Sequence, residues 1–569
     1  MYFPHWLSRF SLALVIVVIA ALALVACKNI SHPLLWSDES ETIMTAQQIT
    51  LYGYPKVHDG KNTVFIPDNS LWLGYKPSAD AYIAITWGSF YYAAIGVWLA
   101  QLTPDIYLKT AILRLQFALA GLLGLAIFAI TMRRFFANKV SFRFFTAAFL
   151  VLEMLSVNLL LHIREARYYP LVILITACYF YVFAAFHFHR RLSRTKYIIL
   201  LTAILVIAFN INFIAFGSMC ATTGLYLCYC YFNSLFSIQK ALSSFNLKHS
   251  LVLATPLLMA GILVLPGLIF FETFKTAQLA DIYYHKSLGK FLQQLCDLFA
   301  ILLRFELLPA MLIIKVIRTG FEYFLNKSKP ALIERTERLK EMSFFMLLFF
   351  IIYALLTARM PFIFTRYFIV LQPVLVLILL TDVLIVFDYA TALSFTKIRL
   401  VRTAVIVFFA CICFINTALC DNHITDYCYQ ITHPLHGPLD YYIPAIKERF
   451  PHPENLVIAT NYEEMSYEYY LGCKVILGFQ NHFISVDKDT GWQQYRPDVI
   501  ILRPSWYQDN RPYKFYFQHA QYKKITFPVK DQPVNDVTDL YFFMKHHFRT
   551  VFAEGEDDRA AMYVKDGVW

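Results

Sequence analysis

The sequence predicts an α-helical integral membrane protein with about eleven transmembrane helices and a small C-terminal α/β domain outside the membrane. Three observations predict it: apolar runs long enough to cross a bilayer, Lys and Arg gathered in alternate short loops, and an abrupt change of composition near residue 420. The chain is 58% hydrophobic and only 16% charged, where soluble chains are about a quarter charged. Its mean hydropathy is +0.51.

The candidate spans are 10–27, 111–131, 144–162, 169–189, 197–213, 214–236, 250–271, 292–317, 343–357, 368–388 and 403–419. With the N-terminus inside, the inner loops hold 19 Lys plus Arg and the short outer loops 7, as the positive-inside rule requires. This holds only if the apolar stretch Ala81 to Leu102 does not cross. We read it as an interfacial helix on the outer face, where Trp87, Tyr91, Tyr92 and Trp98 suit the headgroup level. The N-terminal run has two readings. It is a retained first span, or Leu24-Val25-Ala26-Cys27 is a lipoprotein cleavage site that removes it; the retained helix is the expectation.

Residues 1–419 then form the membrane domain, with 28–110 as a long first outer loop, and 420–569 form the external domain. In the latter, Leu439 to Phe450 and Tyr462 to Leu471 read as helices, Asn455 to Ala459 and Pro497 to Leu502 as strands. Glu463, Glu464 and Glu468 read as a solvated helix face. Most cysteines lie in apolar runs and behave as small hydrophobes; Cys420, Cys428 and Cys473 fall outside the membrane, with pairing unreadable. The net charge of +11 sits in short loops between spans, which makes it a topology signal and excludes nucleic acid as the partner.

Candidate chemistry gathers at the outer face. Leu35-Trp36-Ser37-Asp38-Glu39-Ser40-Glu41 follows the first span directly. Ser37 with Asp38 and Glu39 also makes a good helix start, Ser37 as cap and the acids in the first turn. The loop Arg164-Glu165-Ala166-Arg167-Tyr168 carries outward-facing cations against the topology bias, as does Arg359 to Tyr367 with Arg366. Such pairs suit bidentate contact with a lipid phosphate. Lys76 adds a further cation, and Arg114 opens the second span in an ordinary interfacial role.

Asp38-Glu39-Ser40, Ala46 and Gly53-Tyr54-Pro55, followed in order by Lys76-Pro77, Arg114-Leu115, Arg167-Tyr168 and Arg366-Tyr367 with Pro373, resemble the GT-C superfamily of membrane glycosyltransferases. The likeness is to the branch holding protein O-mannosyltransferases and lipid A aminoarabinose transferases. It covers residues 1 to about 390 in organisation, and short motifs in identity. It implies an inverting glycosyltransferase that moves a hexose or pentose from a polyprenyl-phosphate carrier to a lipid A or core, glycan or protein acceptor. The setting it implies is a bacterial inner membrane, with the N-terminus cytoplasmic and the C-terminal domain periplasmic. Asp38 would be the general base, with Glu39 as its neighbour or substitute. Arg167, Arg366, Lys76 and Arg164 would meet the donor phosphate. Some relatives hold a divalent metal between first- and second-loop acids, which makes Glu165 the candidate second acid and leaves metal dependence open.

Two other readings compete. An O-antigen-ligase-like enzyme would concentrate its chemistry in a large late outer loop, whereas here the long loop is the first. A transporter would show polar groups near mid-membrane and matched broken helices. Neither the sugar nor the acceptor is legible.

Overall fold

The computed structural model describes residues 5–64, 74–236, 247–275, 287–328, 330–360, 363–392, 422–478, 491–503, 511–531 and 549–568. Its membrane part begins with α1 (His5–Cys27), α2 (Ser37–Tyr52), α3 (Gly88–Ala100), α4 (Ile106–Met132), α5 (Lys139–Met154), α6 (Val157–His162) and α7 (Tyr169–His187). It continues with α8 (Arg194–Ile211), α9 (Phe213–Phe236), α10 (Leu247–Phe270), α11 (Leu288–Phe305), α12 (Leu308–Ser328), α13 (Pro330–Thr357) and α14 (Leu371–Ala392). Among the described residues, 8 helices are long and apolar enough to span: α1, α4, α7, α8, α9, α10, α13 and α14. The chain is a multi-pass membrane protein.

Three expected spans fare differently. Residues 144–162 are not one helix: α5 stops after 16 residues, and Ser156 caps a new short helix by accepting from the Leu159 amide at 3.2 Å. Residues 292–317 are broken at Glu306, whose extended backbone (φ −124°, ψ 179°) ends α11. α12 then restarts with Pro309 in its first turn, where a missing N–H costs nothing. The span expected at 403–419 lies outside the described residues, as does the boundary expected at 419/420. α3 has 13 residues, a rise of about 20 Å and too short for a bilayer core of ~30 Å.

Two helices organise the bundle. α7 and α14 are the most buried of the candidate spans, and each begins just after an arginine singled out above. α7 lies close against α4 because α4 presents glycine there. A Cβ at Gly121 would stand 2.3 Å from Ile163 Cγ1, and one at Gly124 2.9 Å from the Leu174 backbone. Between apolar helices in lipid, small residues that allow such backbone approach are the main source of association. Leu115, Leu119 and Leu123, elsewhere on α4, are exposed on the surface of the bundle.

The C-terminal domain opens with α15 (Asn422–Thr432), α16 (Leu439–Arg449) and α17 (Glu464–Leu471), and α18 (Arg511–His519) follows later. A two-residue hairpin in the first loop pairs β1 (Tyr75–Lys76) with β2 (Ala81–Tyr82). The domain's own strands are β3 (Val457–Thr460), β4 (Lys474–Leu477), β5 (Val499–Ile501), β6 (Tyr522–Lys530) and β7 (Arg559–Lys565). They form one sheet of order β4-β3-β5-β7-β6. β3 is parallel to both β4 and β5, whereas β7 is antiparallel to β5 and β6. The apolar runs Val457 to Ala459 and Val499 to Ile501 read as strands because both faces of a central strand are covered.

This domain is fastened through α17 to the segment that follows α1. Leu35 N donates to Tyr470 Oη at 3.1 Å, Ser466 Oγ donates to Leu35 O at 3.0 Å, and Tyr470 Oη pairs with Thr110 Oγ1 at 2.5 Å. Asn62 bonds Cys473 O at 2.8 Å and Val475 N at 3.0 Å, adding itself to the sheet edge. The docking corrects one expectation. Glu463, Glu464 and Glu468 are not a solvated face but buried at 2%, 7% and 4% exposure. Glu463 pairs with the buried Arg503, which also bonds Asp531. Cys428 and Cys473 are not in disulfides.

Candidate active site

Asp38 lies in the first turn of α2. Ser37 does not cap that helix: the capping position is Trp36, with extended backbone and no side-chain bond. Trp36 is buried at 1% exposure. Successive residues of the turn therefore point to different partners. Asp38 keeps 22% of its side chain exposed and presents Oδ2 to two guanidinium groups, Arg366 Nη2 at 3.2 Å and Arg167 Nη2 at 3.7 Å. Glu39, 0% exposed, faces the opposite way. Its two oxygens accept from Arg114 Nε at 2.8 Å and Nη2 at 2.5 Å, and Oε1 also accepts from the Ala166 amide at 2.9 Å.

The two arginines are set by the central helices. Arg167 stands just before α7, and Nη1 donates to Asp38 O at 2.8 Å, Thr42 Oγ1 at 3.0 Å and Glu41 Oε2 at 3.1 Å. Arg366 lies in a 3₁₀ turn, Thr365–Phe368, that leads into α14. Its guanidinium sits 3.9 Å from the Phe364 ring centroid and 5.0 Å from that of Trp36. Aromatic faces are favourable neighbours for a desolvated guanidinium. Both arginines are buried, at 8% and 2% exposure. Two cations and the N-terminal ends of α2 and α7 thus gather around one carboxylate, an arrangement that attracts an anion.

The remaining candidates go elsewhere. Lys76 Nζ donates to Phe270 O at 3.0 Å and lies 3.8 Å from Glu272, which ties the hairpin to the end of α10. Arg164 Nη1 donates to Lys28 O at 3.0 Å, beside the end of α1. Glu165 Oε1 lies 3.0 Å from His162 Nδ1. The acids named for a divalent metal do not fit one. Glu165 turns to His162, Asp38 faces two cations, and among the described residues no group of three His, Cys, Asp or Glu could hold a metal ion. Arg114, expected in an interfacial role, is instead buried at 5% exposure as the partner of Glu39.

Sequence reasoning placed Glu41 only among the acids of the helix start and gave it no role at the site. It lies three residues after Asp38 on the same helix, bonded to Arg167 through Oε2 and accepting from Tyr82 Oη through Oε1 at 2.5 Å. Burial, then the Glu41 carboxylate, push the Tyr82 phenol well above its usual range, so it stays a donor. The available signal was the three-residue spacing of Asp38 and Glu41, which places both on one helix face.

No family model and no curated protein matches the chain. Among solved structures it aligns with ArnT from Cupriavidus metallidurans in the apo state at 12% identity, over 96% of this chain and 97% of that one, with a TM-score of 0.49. The same protein bound to undecaprenyl phosphate aligns at 11% identity over 97% and 98%, also with a TM-score of 0.49. A likeness at this level carries no argument about chemistry.

Proposed function

We propose that this chain is an inverting glycosyltransferase that moves a sugar from a polyprenyl-phosphate carrier to an acceptor hydroxyl at the outer face of the membrane. The observation that carries the reading is the approach of Arg366 and Arg167 to Asp38 Oδ2, at 3.2 and 3.7 Å, at the end of a membrane bundle. A hydroxyl nucleophile needs a partly open carboxylate to take its proton, and Asp38 is that group. As the acceptor oxygen bonds to the anomeric carbon, the carbon–oxygen bond to phosphate breaks and its electron pair stays on the phosphate. That leaving group needs charge stabilisation and no proton, which the two buried guanidinium groups supply. Glu39 is a poor substitute base, because taking a proton would break its pair with Arg114.

One observation favours a transporter as the second reading. The two helix breaks bring Ser156 Oγ to Glu306 Oε1 at 2.9 Å beside the fully buried Glu153. Among the described residues no cation pairs with this polar group, whereas Arg366 and Arg167 gather at Asp38.

The test compares purified wild type with Asp38→Asn on radiolabelled sugars linked to undecaprenyl phosphate, the carrier that ArnT binds in its solved complex, with a membrane-lipid extract as acceptor. Wild type should transfer one of them. The variant should bind donor and fall by about 100-fold or more in transfer. An equally active variant removes Asp38 from the chemistry. A wild type that consumes no donor removes the transferase reading and puts the transporter ahead.

A further inference from the structure

Arg167 is held unevenly. Its Nη1 makes three bonds to α2, while among the described residues its buried Nε has no hydrogen-bond partner and Nη2 stands 3.7 Å from Asp38 Oδ2. A guanidinium that is more than nine-tenths buried with open donors is set up for a ligand that brings acceptors. The ready alternative is collapse onto Asp38 as a bidentate ion pair, which would occupy the oxygens that must take the acceptor proton. What holds Arg167 back is Glu41, whose contact at 3.1 Å is shorter than that of Asp38 at 3.7 Å. Glu41 is itself fixed by Tyr82, on a strand of the hairpin, through its other oxygen.

We propose that Glu41 is a positioning residue for the transfer, holding Arg167 to the second turn of α2 so that its free donors meet the donor phosphate and Asp38 stays open as base. This rests on the transferase reading above. Glu41 touches neither reacting group; it acts through Arg167. Thr42 Oγ1 and Asp38 O aid it but carry no charge, so they do not replace the carboxylate in competing for a cation.

The experiment is a double-mutant cycle on the full chain in detergent, with undecaprenyl-phosphate-linked sugar as donor. Glu41→Gln is expected to lower kcat/KM by about 10-fold or more, and Arg167→Met by at least as much. The double variant should then be no worse than Arg167→Met within about twofold, because Glu41 has nothing left to position. In Glu41→Gln kcat should fall and KM for the donor should rise together, since Arg167 then pairs with Asp38 instead of meeting the phosphate. Glu41→Asp keeps the carboxylate and should retain most of the activity, which keeps the idea testable if Glu41→Gln does not fold. Additive losses, an unchanged KM for the donor, or a Glu41→Asp variant as poor as Glu41→Gln would overturn the proposal. With an active wild type, those results leave the transferase reading intact. A wild type that consumes no donor takes both down.

Discussion

Ser40 and Ser466 share a hydrogen bond of 2.7 Å although 426 residues separate them. Ser40 lies two residues after Asp38 on the same helix turn, and Ser466 lies on the helix that follows the first strand of the C-terminal sheet. The C-terminal domain therefore grips the element that carries the proposed base. Its distance from the arginines depends on a contact made by the far end of the chain, and proton-transfer geometry tolerates little displacement.

Removing one hydroxyl tests that grip. Tyr470→Phe leaves the buried Leu35 amide without its acceptor and Thr110 with only the Ile106 carbonyl of its two partners. We expect a loss of about 1–3 kcal/mol from the docking. Hydrogen exchange should show it as faster exchange across residues 29–40, with the membrane helices unchanged.

Breaking the Glu39 pair should be more severe. Glu39→Gln leaves Arg114 charged and buried with only the carbonyls of Ile30 and Pro33. Thermal unfolding in detergent should register a loss of about 3–5 kcal/mol. Glu39→Gln combined with Arg114→Met should recover much of it, because no uncompensated charge remains.

The docking surface should also respond to pH, in a direction that follows from its buried groups. Burial pushes Asp440 up to about 7 from 3.8, against the Gly437 and Leu34 amides that favour its charge. Burial, with Glu464 and Asp59 nearby, raises Glu468 well above the usual carboxylate range. Both acids have raised folded values, so the stability they contribute is present at low pH and is lost as pH rises, for Asp440 through about 7. His32 runs the other way. Burial and the neighbouring His436 and Arg114 lower it to about 4, so its contribution is present above 6.5 and is lost as pH falls through 4. Between about 4 and 6.5 the Asp440 and His32 contributions oppose one another, so melting temperature should fall chiefly as pH rises past 6.5. Glu468→Gln should flatten that fall, and His32→Asn should extend it to lower pH.

The sequence made the spans and the charged face legible for a physical reason. Hydropathy is additive along a helix, and outward arginines stand out against a topology bias. The helix breaks at Ser156 and Glu306 were not legible, because one cap or one extended residue hardly alters an average over some twenty. Asp38, Arg167 and Arg366 could be named from residue type and loop placement alone. Which acid faces which arginine could not. Glu39 and Arg114 are 75 residues apart in the chain, and only the packed structure shows that they neutralise each other. Glu464 and Glu468 misled because an acidic helix in a polar region normally faces water. Their burial comes from tertiary packing, Glu464 against Gly478 after β4 and Glu468 near Asp59 of the segment before the hairpin, which local pattern does not encode.

The lock between α17 and α2 also orders the protein's manufacture. The segment after α1 leaves the ribosome early, yet Leu35 and Ser40 find their partners only when Ser466 and Tyr470 have been made. Every membrane helix described here is synthesised before that contact exists. A nascent or truncated chain that stops short of residue 466 therefore carries all three proposed catalytic side chains without the contacts from Ser466 and Tyr470 that hold the start of α2.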